Sequence, residues 1–197
     1  VAQWNARGAS GWRLDVADEL PDDFICELRA RVKLENPEAA VLGEVWEDAS
    51  NKVAYGQLRS YALGRSLDSV MNYPLRTALL NFFTGRGTAR DFARTVNSLH
   101  ENYPPQMFYA LMNLIGSHDR ARALNALSGL SGEDAPKETW RDLELDGPHY
   151  RMARQRLMAL FALVCALPGM PTIYYGDEAG MQGAGDLMLS TDTTRFY

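Results

Sequence analysis

Three short apolar runs in this chain each end in a carboxylate. The first ends at Asp15, the second at Glu44 and the third at Asp119. A buried parallel strand that delivers an acid from its carboxyl end has this pattern. Because parallel strands present their carboxyl ends at one edge of a sheet, we expect the three acids to lie close together.

Strand-like and helix-like segments alternate along the chain, which favours a parallel α/β sheet or barrel. Strands are predicted over residues 11–16, 40–46, 67–72, 108–115 and 172–175. Helices are predicted over 21–34, 88–102 and 150–167, helical material over 52–63, a helix or irregular loop over 73–83, and a loop with short helical pieces over 123–148. Five strands are too few for a closed eight-stranded barrel, which takes about 250 residues. An open doubly wound domain and the later part of a barrel both remain open.

The composition excludes several classes of protein. The net charge of the 197 residues is −5 and there is no basic stripe, so nucleic acid is not an expected partner. Cys26 and Cys165 are expected to be buried free thiols, and no His/Cys cluster has the spacing of a zinc site. The uncharged run 158–175 is broken by Pro168 and Pro171, so we expect no membrane span.

The first two carboxylates have neighbours that suit opposite chemical roles. Arg13 and Asp15 lie two residues apart on a predicted strand, so they point to the same face, and the guanidinium would favour the charged, nucleophilic carboxylate. Glu44 shares a face with Trp46, whose indole would favour the protonated acid that a proton donor needs. A buried structural ion pair and a solvated surface glutamate are the respective alternatives.

The third carboxylate belongs to a His-Asp pair. His118 and Asp119 follow the third apolar run, and a helix cap or a core histidine would also explain them. Taken singly, each motif favours a structural role, but their shared position at strand ends favours one common site. Carboxylates of this kind are used to break glycosidic bonds.

Four segments, taken in order, resemble motifs of the α-amylase family, glycoside hydrolase family 13. Residues 11–17 are similar to the motif of barrel strand four, 43–46 to strand five, 117–119 to strand seven and 168–178 to strand eight. The resemblance implies an α/β fold, in which the chain is part of a (β/α)8 TIM barrel with strands four to eight. It also implies a division into residues 1–186 of the barrel and a divergent tail over 187–197.

The residues of three segments are most similar to those of the neopullulanase, cyclomaltodextrinase and maltogenic amylase branch of the family. These segments are Gly-Glu-Val-Trp at 43–46, residues 68–74 and Gly-Ser-His-Asp at 116–119. The resemblance implies retaining hydrolysis of α-glucosidic bonds in maltooligosaccharides, cyclodextrins, pullulan or starch. It therefore implies an α-glucan as partner.

The resemblance also implies roles for particular residues. Asp15 would be the nucleophile, Glu44 the acid and base, and Asp119 the group that stabilises the distorted sugar ring. Substrate-binding roles are expected for Arg13, His118, Trp46 and Tyr73, the two aromatic rings offering stacking surfaces. Core packing is the alternative for the rings.

Several expectations concern the intact protein. No cofactor is expected, although calcium in the full-length protein is left open. A homodimer and a cytoplasmic location are expected. The alternatives are an α-glucan transglycosylase, a catalytically incompetent fragment, a carbohydrate-binding relative without catalysis, and an unrelated α/β enzyme. Retention of Asp15, Glu44 and Asp119 argues against the non-catalytic relative.

Overall fold

The computed structural model describes residues 1–130 and 144–183. The predicted tail and residues 131–143 of the predicted loop lie outside this part of the chain. Its helices are α1 Ala2–Asn5, α2 Asp22–Glu35, α3 Tyr73–Thr84, α4 Ala89–Asn102, α5 Pro105–Phe108, α6 Ala123–Leu127 and α7 Gly147–Ala166. Its strands are β1 Gly11–Leu14, β2 Ala40–Gly43, β3 Val53–Ala54, β4 Gln57–Leu58, β5 Ser69–Val70, β6 Met112–Leu114 and β7 Met170–Thr172.

Five of these strands run parallel in the order of the sequence. Strand β2 lies between β1 and β5, and β6 pairs with β7. A parallel bridge between Met71 and Met112 connects the two groups. The order β1-β2-β5-β6-β7 agrees with the predicted succession of barrel strands, and it places the strand ends that carry the acids along one edge.

Apolar side chains of the strands pack against the helices. Ile25 and Val32 of α2, Val41 of β2 and Leu160 of α7 are fully buried in one hydrophobic cluster. The apolar positions of α2 are spaced seven apart, so they occupy one face of the helix. This packing fixes the helices on the sheet, and the strand ends carry the functional side chains.

Two buried asparagines tie the later strands together. The side-chain amide of Asn72 donates to Asn113 Oδ1 over 2.9 Å, and Asn113 Nδ2 donates to the Pro168 carbonyl over 2.8 Å. Asn72 Oδ1 also accepts the backbone N–H of Leu75, which caps α3. At Gly169, which has φ +119, a Cβ would come within 2.5 Å of Asn113 Nδ2, so the asparagine requires glycine there.

The prediction of helical material over 52–63 is wrong. Strands β3 and β4 form an antiparallel hairpin joined by Tyr55 and Gly56, which have φ values of 53 and 74. Positive φ at both central residues is the type I′ turn that matches the twist of a two-residue hairpin. The sequence signal was weak because tyrosine is an uncommon residue in that position.

All five predicted strands are longer than the strands in the structure, and the last two also differ in position. The segment predicted as a strand over 108–115 begins as the last residue of α5, and only Met112–Leu114 pair with a neighbour. The last strand is Met170–Thr172 rather than 172–175. Apolar runs of this length do not distinguish a strand from a buried helical turn, which explains the errors.

Helices were predicted more accurately. Residues 73–83 form α3, and α4 begins after Thr88, whose hydroxyl accepts the Asp91 N–H in a capping box. Both cysteines are free thiols, but Cys26 is only partly buried and Cys165 is exposed, because it lies on the outer side of α7. No helix within residues 1–130 and 144–183 is long and apolar enough to cross a membrane.

Candidate active site

The loop that follows β1 carries the first candidate pair. Arg13 lies on the strand and Asp15 directly after it, and their side chains form an ion pair with Nη1 and Oδ1 2.5 Å apart. The Asp15 side chain is 74% exposed. The alternative of a buried structural pair is therefore wrong, because this carboxylate faces open space.

Glu44 follows β2 and is buried, with 4% of its side chain exposed. Its Oε2 forms an ion pair with Arg13 Nη2 over 2.8 Å and accepts a hydrogen bond from the backbone N–H of Val16 over 2.9 Å. The alternative of a solvated surface glutamate is therefore wrong. One guanidinium lies between Asp15 and Glu44 and holds both carboxylates at a single site.

The backbone at Val16 has an unusual conformation. Its φ of 38 and ψ of 65 place a β-branched residue in the left-handed region. The Val16 N–H binds the Glu44 carboxylate, and the Ala17 N–H donates to the Glu44 carbonyl over 2.9 Å. Sequence reasoning missed this contribution because nothing in a valine residue signals positive φ.

The third motif lies beyond β6. His118 Nε2 is 3.3 Å from Asp119 Oδ1, and the Asp119 N–H donates to Ser117 Oγ over 3.3 Å. Asp119 Oδ2 is buried and has no hydrogen-bond partner in the described part of the chain. An acceptor of this kind is ready for a donor from outside, such as a sugar hydroxyl.

A cavity of about 210 Å³ brings the first and third motifs together. Arg13 and His118 both line it, with Leu42 and Met71 among its apolar residues, whereas Asp15, Glu44 and Asp119 are not part of its lining. Residues from the ends of β1 and β6, about 100 positions apart in the sequence, therefore face one space, as the strand order requires.

The two predicted aromatic residues contact each other. The rings of Trp46 and Tyr73 stack with centroids 4.6 Å apart and an interplanar angle of 9°. The guanidinium of Arg120 lies 4.2 Å from the Trp46 centroid. Tyr73 is 2% exposed, so a sugar ring could not reach it without movement, and burial raises the pKa of its hydroxyl. Stacking of substrate on these rings stays a prediction.

Asp177 is a buried acid that sequence reasoning did not single out. It lies beyond β7, 1% exposed, against Gly116, where a Cβ would come within 2.1 Å of Oδ2. Burial raises its pKa to about 6, although the nearby Arg122 guanidinium, 3.9 Å away, acts in the opposite direction. Gly116 begins the loop that carries His118 and Asp119, so the Asp177 carboxyl lies against the start of that loop.

Residues 1–195 match the family model of the alpha-amylase catalytic domain. The chain is 36% identical over 191 residues to an amylopullulanase of Thermoanaerobacter thermohydrosulfuricus, covering 91% of this chain and 12% of that protein. It is 37% identical over 184 residues to neopullulanase 2 of Thermoactinomyces vulgaris, covering 93% of this chain and 26% of that protein.

Solved structures give the same result. The type III pullulan hydrolase from Thermococcus kodakarensis matches with a TM-score of 0.74 and 30% identity, covering 95% of this chain and 29% of that one. The cyclic alpha-maltosyl-(1→6)-maltose hydrolase from Arthrobacter globiformis, in complex with maltose, matches with a TM-score of 0.73 and 30% identity, covering 94% and 35%.

The chain thus spans about a third or less of the length of these relatives. The match confirms the predicted partial TIM barrel and the similarity to neopullulanases and cyclomaltodextrinases, the latter also found at 36% identity in Geobacillus thermopakistaniensis. Because the family model covers nearly all of its residues, the chain belongs to the alpha-amylase catalytic-domain family.

Proposed function

We propose that the protein carrying this chain hydrolyses α-glucosidic bonds with retention of anomeric configuration. The observation that carries the proposal is the Arg13 guanidinium, which binds Asp15 and Glu44 at the same time. Two carboxyl groups on one guanidinium are close enough to serve one sugar. This arrangement is compatible with the roughly 5–5.5 Å that separates the carboxyl groups of retaining glycosidases.

The proposed reaction has two displacements. In the first, a carboxylate oxygen of Asp15 bonds to the anomeric carbon while the glycosidic C–O bond breaks and Glu44 gives its proton to the leaving oxygen. In the second, Glu44 takes a proton from water, the water oxygen bonds to the anomeric carbon, and Asp15 leaves. Arg13 stabilises the charged Asp15 carboxylate before the first displacement and again after the second.

The loop beyond β6 would hold the sugar during both steps. The partner-free Oδ2 of Asp119 would accept a hydroxyl hydrogen bond, which stabilises the ring as it flattens toward an oxocarbenium ion. His118, which is half exposed, would contact another hydroxyl.

The substrate class is an α-glucan. Relatives of this chain are named for pullulan, for cyclomaltodextrins and for a cyclic maltosyl-maltose. We propose maltooligosaccharides, cyclodextrins, pullulan or starch as substrates. A cytoplasmic location and a homodimeric intact protein stay predictions.

The test is release of reducing sugar from β-cyclodextrin and maltotriose by the intact protein, with Glu44→Gln as the variant. Glu38→Gln, the same change at an exposed carboxylate, is the matched control. We expect turnover in the wild type and the control and its loss in Glu44→Gln. Normal turnover in Glu44→Gln would remove Glu44 from the proposed role.

The products separate hydrolysis from transfer. At high maltotriose concentration a transglycosylase forms oligosaccharides longer than maltotriose, whereas a hydrolase forms glucose and maltose. Predominantly longer products would replace hydrolysis by glucan transfer as the main activity of the same three carboxylates.

A further inference from the structure

The turn over residues 17–20, which follows Asp15, accepts hydrogen bonds from the side chain of Arg59, about 40 positions further along the chain. Arg59 is 7% exposed, and its Nη1 donates to the Asp18 carbonyl over 3.0 Å. Its Nη2 donates to the carbonyls of Ala17, over 3.4 Å, and of Leu20. Its Nε binds Asp22 Oδ1 over 2.6 Å. Three backbone carbonyls of one turn thus converge on one guanidinium.

Tyr61 reinforces the same turn. Its hydroxyl is 3.1 Å from the Ala17 carbonyl and 2.9 Å from Asp18 Oδ1, and its ring lies 5.0 Å from the Arg59 guanidinium. Burial, together with the hydrogen bond to Asp18, raises the pKa of Tyr61. The hydroxyl therefore stays protonated and able to donate at neutral pH.

The backbone N–H groups at the start of the turn bind Glu44, one of the two carboxylates that Arg13 holds. Val16 donates its N–H to Glu44 Oε2, and Ala17 donates its N–H to the Glu44 carbonyl. Ala17, the residue that follows Val16, is therefore held at its N–H by the Glu44 carbonyl and at its own carbonyl by Arg59 and Tyr61. A non-glycine residue in the left-handed region is strained and persists only where its surroundings hold it.

We infer that Arg59 is a positioning residue of the catalytic site. It holds the turn so that Val16 keeps its left-handed conformation, which aims the Val16 N–H at Glu44 and sets Asp15 on the far side of Arg13. The inference rests on the proposed function for its catalytic consequence, but the geometry of the turn does not depend on it.

A guanidinium is required because it has five donors in a planar fork. A lysine at position 59 would keep the charge but could not bind three carbonyls and Asp22 together. We therefore expect Arg59→Lys to lower kcat almost as much as Arg59→Met does.

The first measurement compares kcat and KM on maltotriose. A displacement of about 1 Å at a reacting group costs roughly 10²-fold in rate. We expect kcat to fall by about that factor in Arg59→Met and Arg59→Lys with KM changed less than threefold. Arg65→Met, at an exposed position, is the matched control and should keep the wild-type kcat.

A second substitution separates positioning from general stability. Glycine adopts positive φ without steric cost. If Arg59 acts through the backbone of Val16, then Val16→Gly in the Arg59→Met background should restore kcat at least tenfold. Additive losses in the double variant would overturn the inference, because a merely structural arginine gains nothing from glycine at position 16.

A third measurement is independent of activity. Hydrogen exchange should show the amides of Val16 and Ala17 protected in the wild type and fast in Arg59→Met, with those of α7 unchanged. Unchanged exchange at Val16 overturns the inference even when the wild type is active. Faster exchange in Arg59→Met, combined with a wild type that turns over no glucan, supports the inference and rejects the proposed function.

Discussion

Arg13 carries one positive charge between two carboxylates. The sequence predicted its pairing with Asp15, two residues away on one strand. Its contact with Glu44 could not be read from the sequence, because it depends on which strands are neighbours. The same reason hides Arg59 and Asp177, whose partners lie far away in the chain.

Removal of Arg13 is expected to disable the site. Arg13→Gln leaves Asp15 and Glu44 as two adjacent acids without a shared counter-charge, which raises the free energy of the ionised nucleophile. We expect kcat/KM on maltotriose to fall about 10²- to 10³-fold, as for loss of one preorganised donor. Because buried Glu44 loses its ion-pair partner, the unfolding midpoint should also fall. A kcat/KM within threefold of the wild type would contradict the assigned role.

Asp177 should make stability depend on pH. Its pKa rises from 3.8 to about 6 on folding, so its contribution is fully present below pH 3.8 and is lost as the pH rises through about 6. Asp177→Asn is neutral throughout. Between pH 4 and pH 7.5 the free energy of unfolding of the variant should therefore rise relative to that of the wild type by on the order of 3 kcal/mol.

Urea unfolding of both proteins at the two pH values checks this expectation. Asp146→Asn is a useful comparison, because the N–H and ring of His149 lower the pKa of that exposed aspartate. Its pH dependence should have the opposite sign. Parallel curves for Asp177→Asn and the wild type would show that folding does not raise the pKa of Asp177.

At the scale of elements, the helices were easier to predict than the strands. Helix α4 has a hydrophobic spacing and a Thr88–Asp91 capping box, and both signals are local. The strands have only two to four paired residues, so their ends are set by neighbours rather than by their own sequence. The hairpin over 53–58 depends on Tyr55 in a conformation that its side chain does not favour.

One side chain connects three elements at the amino end of the sheet. Asp68, just before β5, binds Arg29 Nη2 of α2 over 2.8 Å, Lys33 Nζ over 3.1 Å and the Val41 N–H of β2 over 2.8 Å. Burial alone would raise its pKa, but the backbone N–H and the two cations outweigh burial and lower it.

Asp68→Asn is expected to lower the free energy of unfolding by about 1.5–3 kcal/mol at pH 7, the usual size for hydrogen bonds to a charged group. The lowered pKa means that this stabilisation is present above the ordinary aspartate value and is lost as the pH falls through the folded value. The two proteins should therefore converge in acid. Urea unfolding measures the difference in the free energy of unfolding between the two proteins. A difference that grows as the pH falls would contradict a lowered pKa for Asp68.

At the scale of the whole molecule, the fold has two open strand edges. In residues 1–130 and 144–183, β1 pairs only with β2 and β7 only with β6. Met170 is 44% and Ile173 55% exposed at the second edge. The resemblance to barrel strands four to eight predicted the succession of the strands, whereas the exposed fractions of Met170 and Ile173 required the structure.

The 197-residue chain expressed alone is expected to associate or to unfold without cooperativity, because unpaired parallel edges with apolar neighbours attract other strands. Light scattering after size exclusion and a thermal scan test this expectation. Ile173→Lys, which places a charge at the edge, should increase the monomer fraction. A monomeric wild type with one sharp transition would contradict it.

The ladder of Asn72, Asn113 and the Pro168 carbonyl has a consequence for how the short strands find their alignment. Strands of two or three residues offer few backbone bonds by which a correct pairing could be told from one displaced by a residue. A displaced pairing would leave two buried amides without partners, each costing about 1–3 kcal/mol. The hydrogen bonds of the two asparagines therefore favour a single register, which strands this short would not specify by their backbone bonds alone.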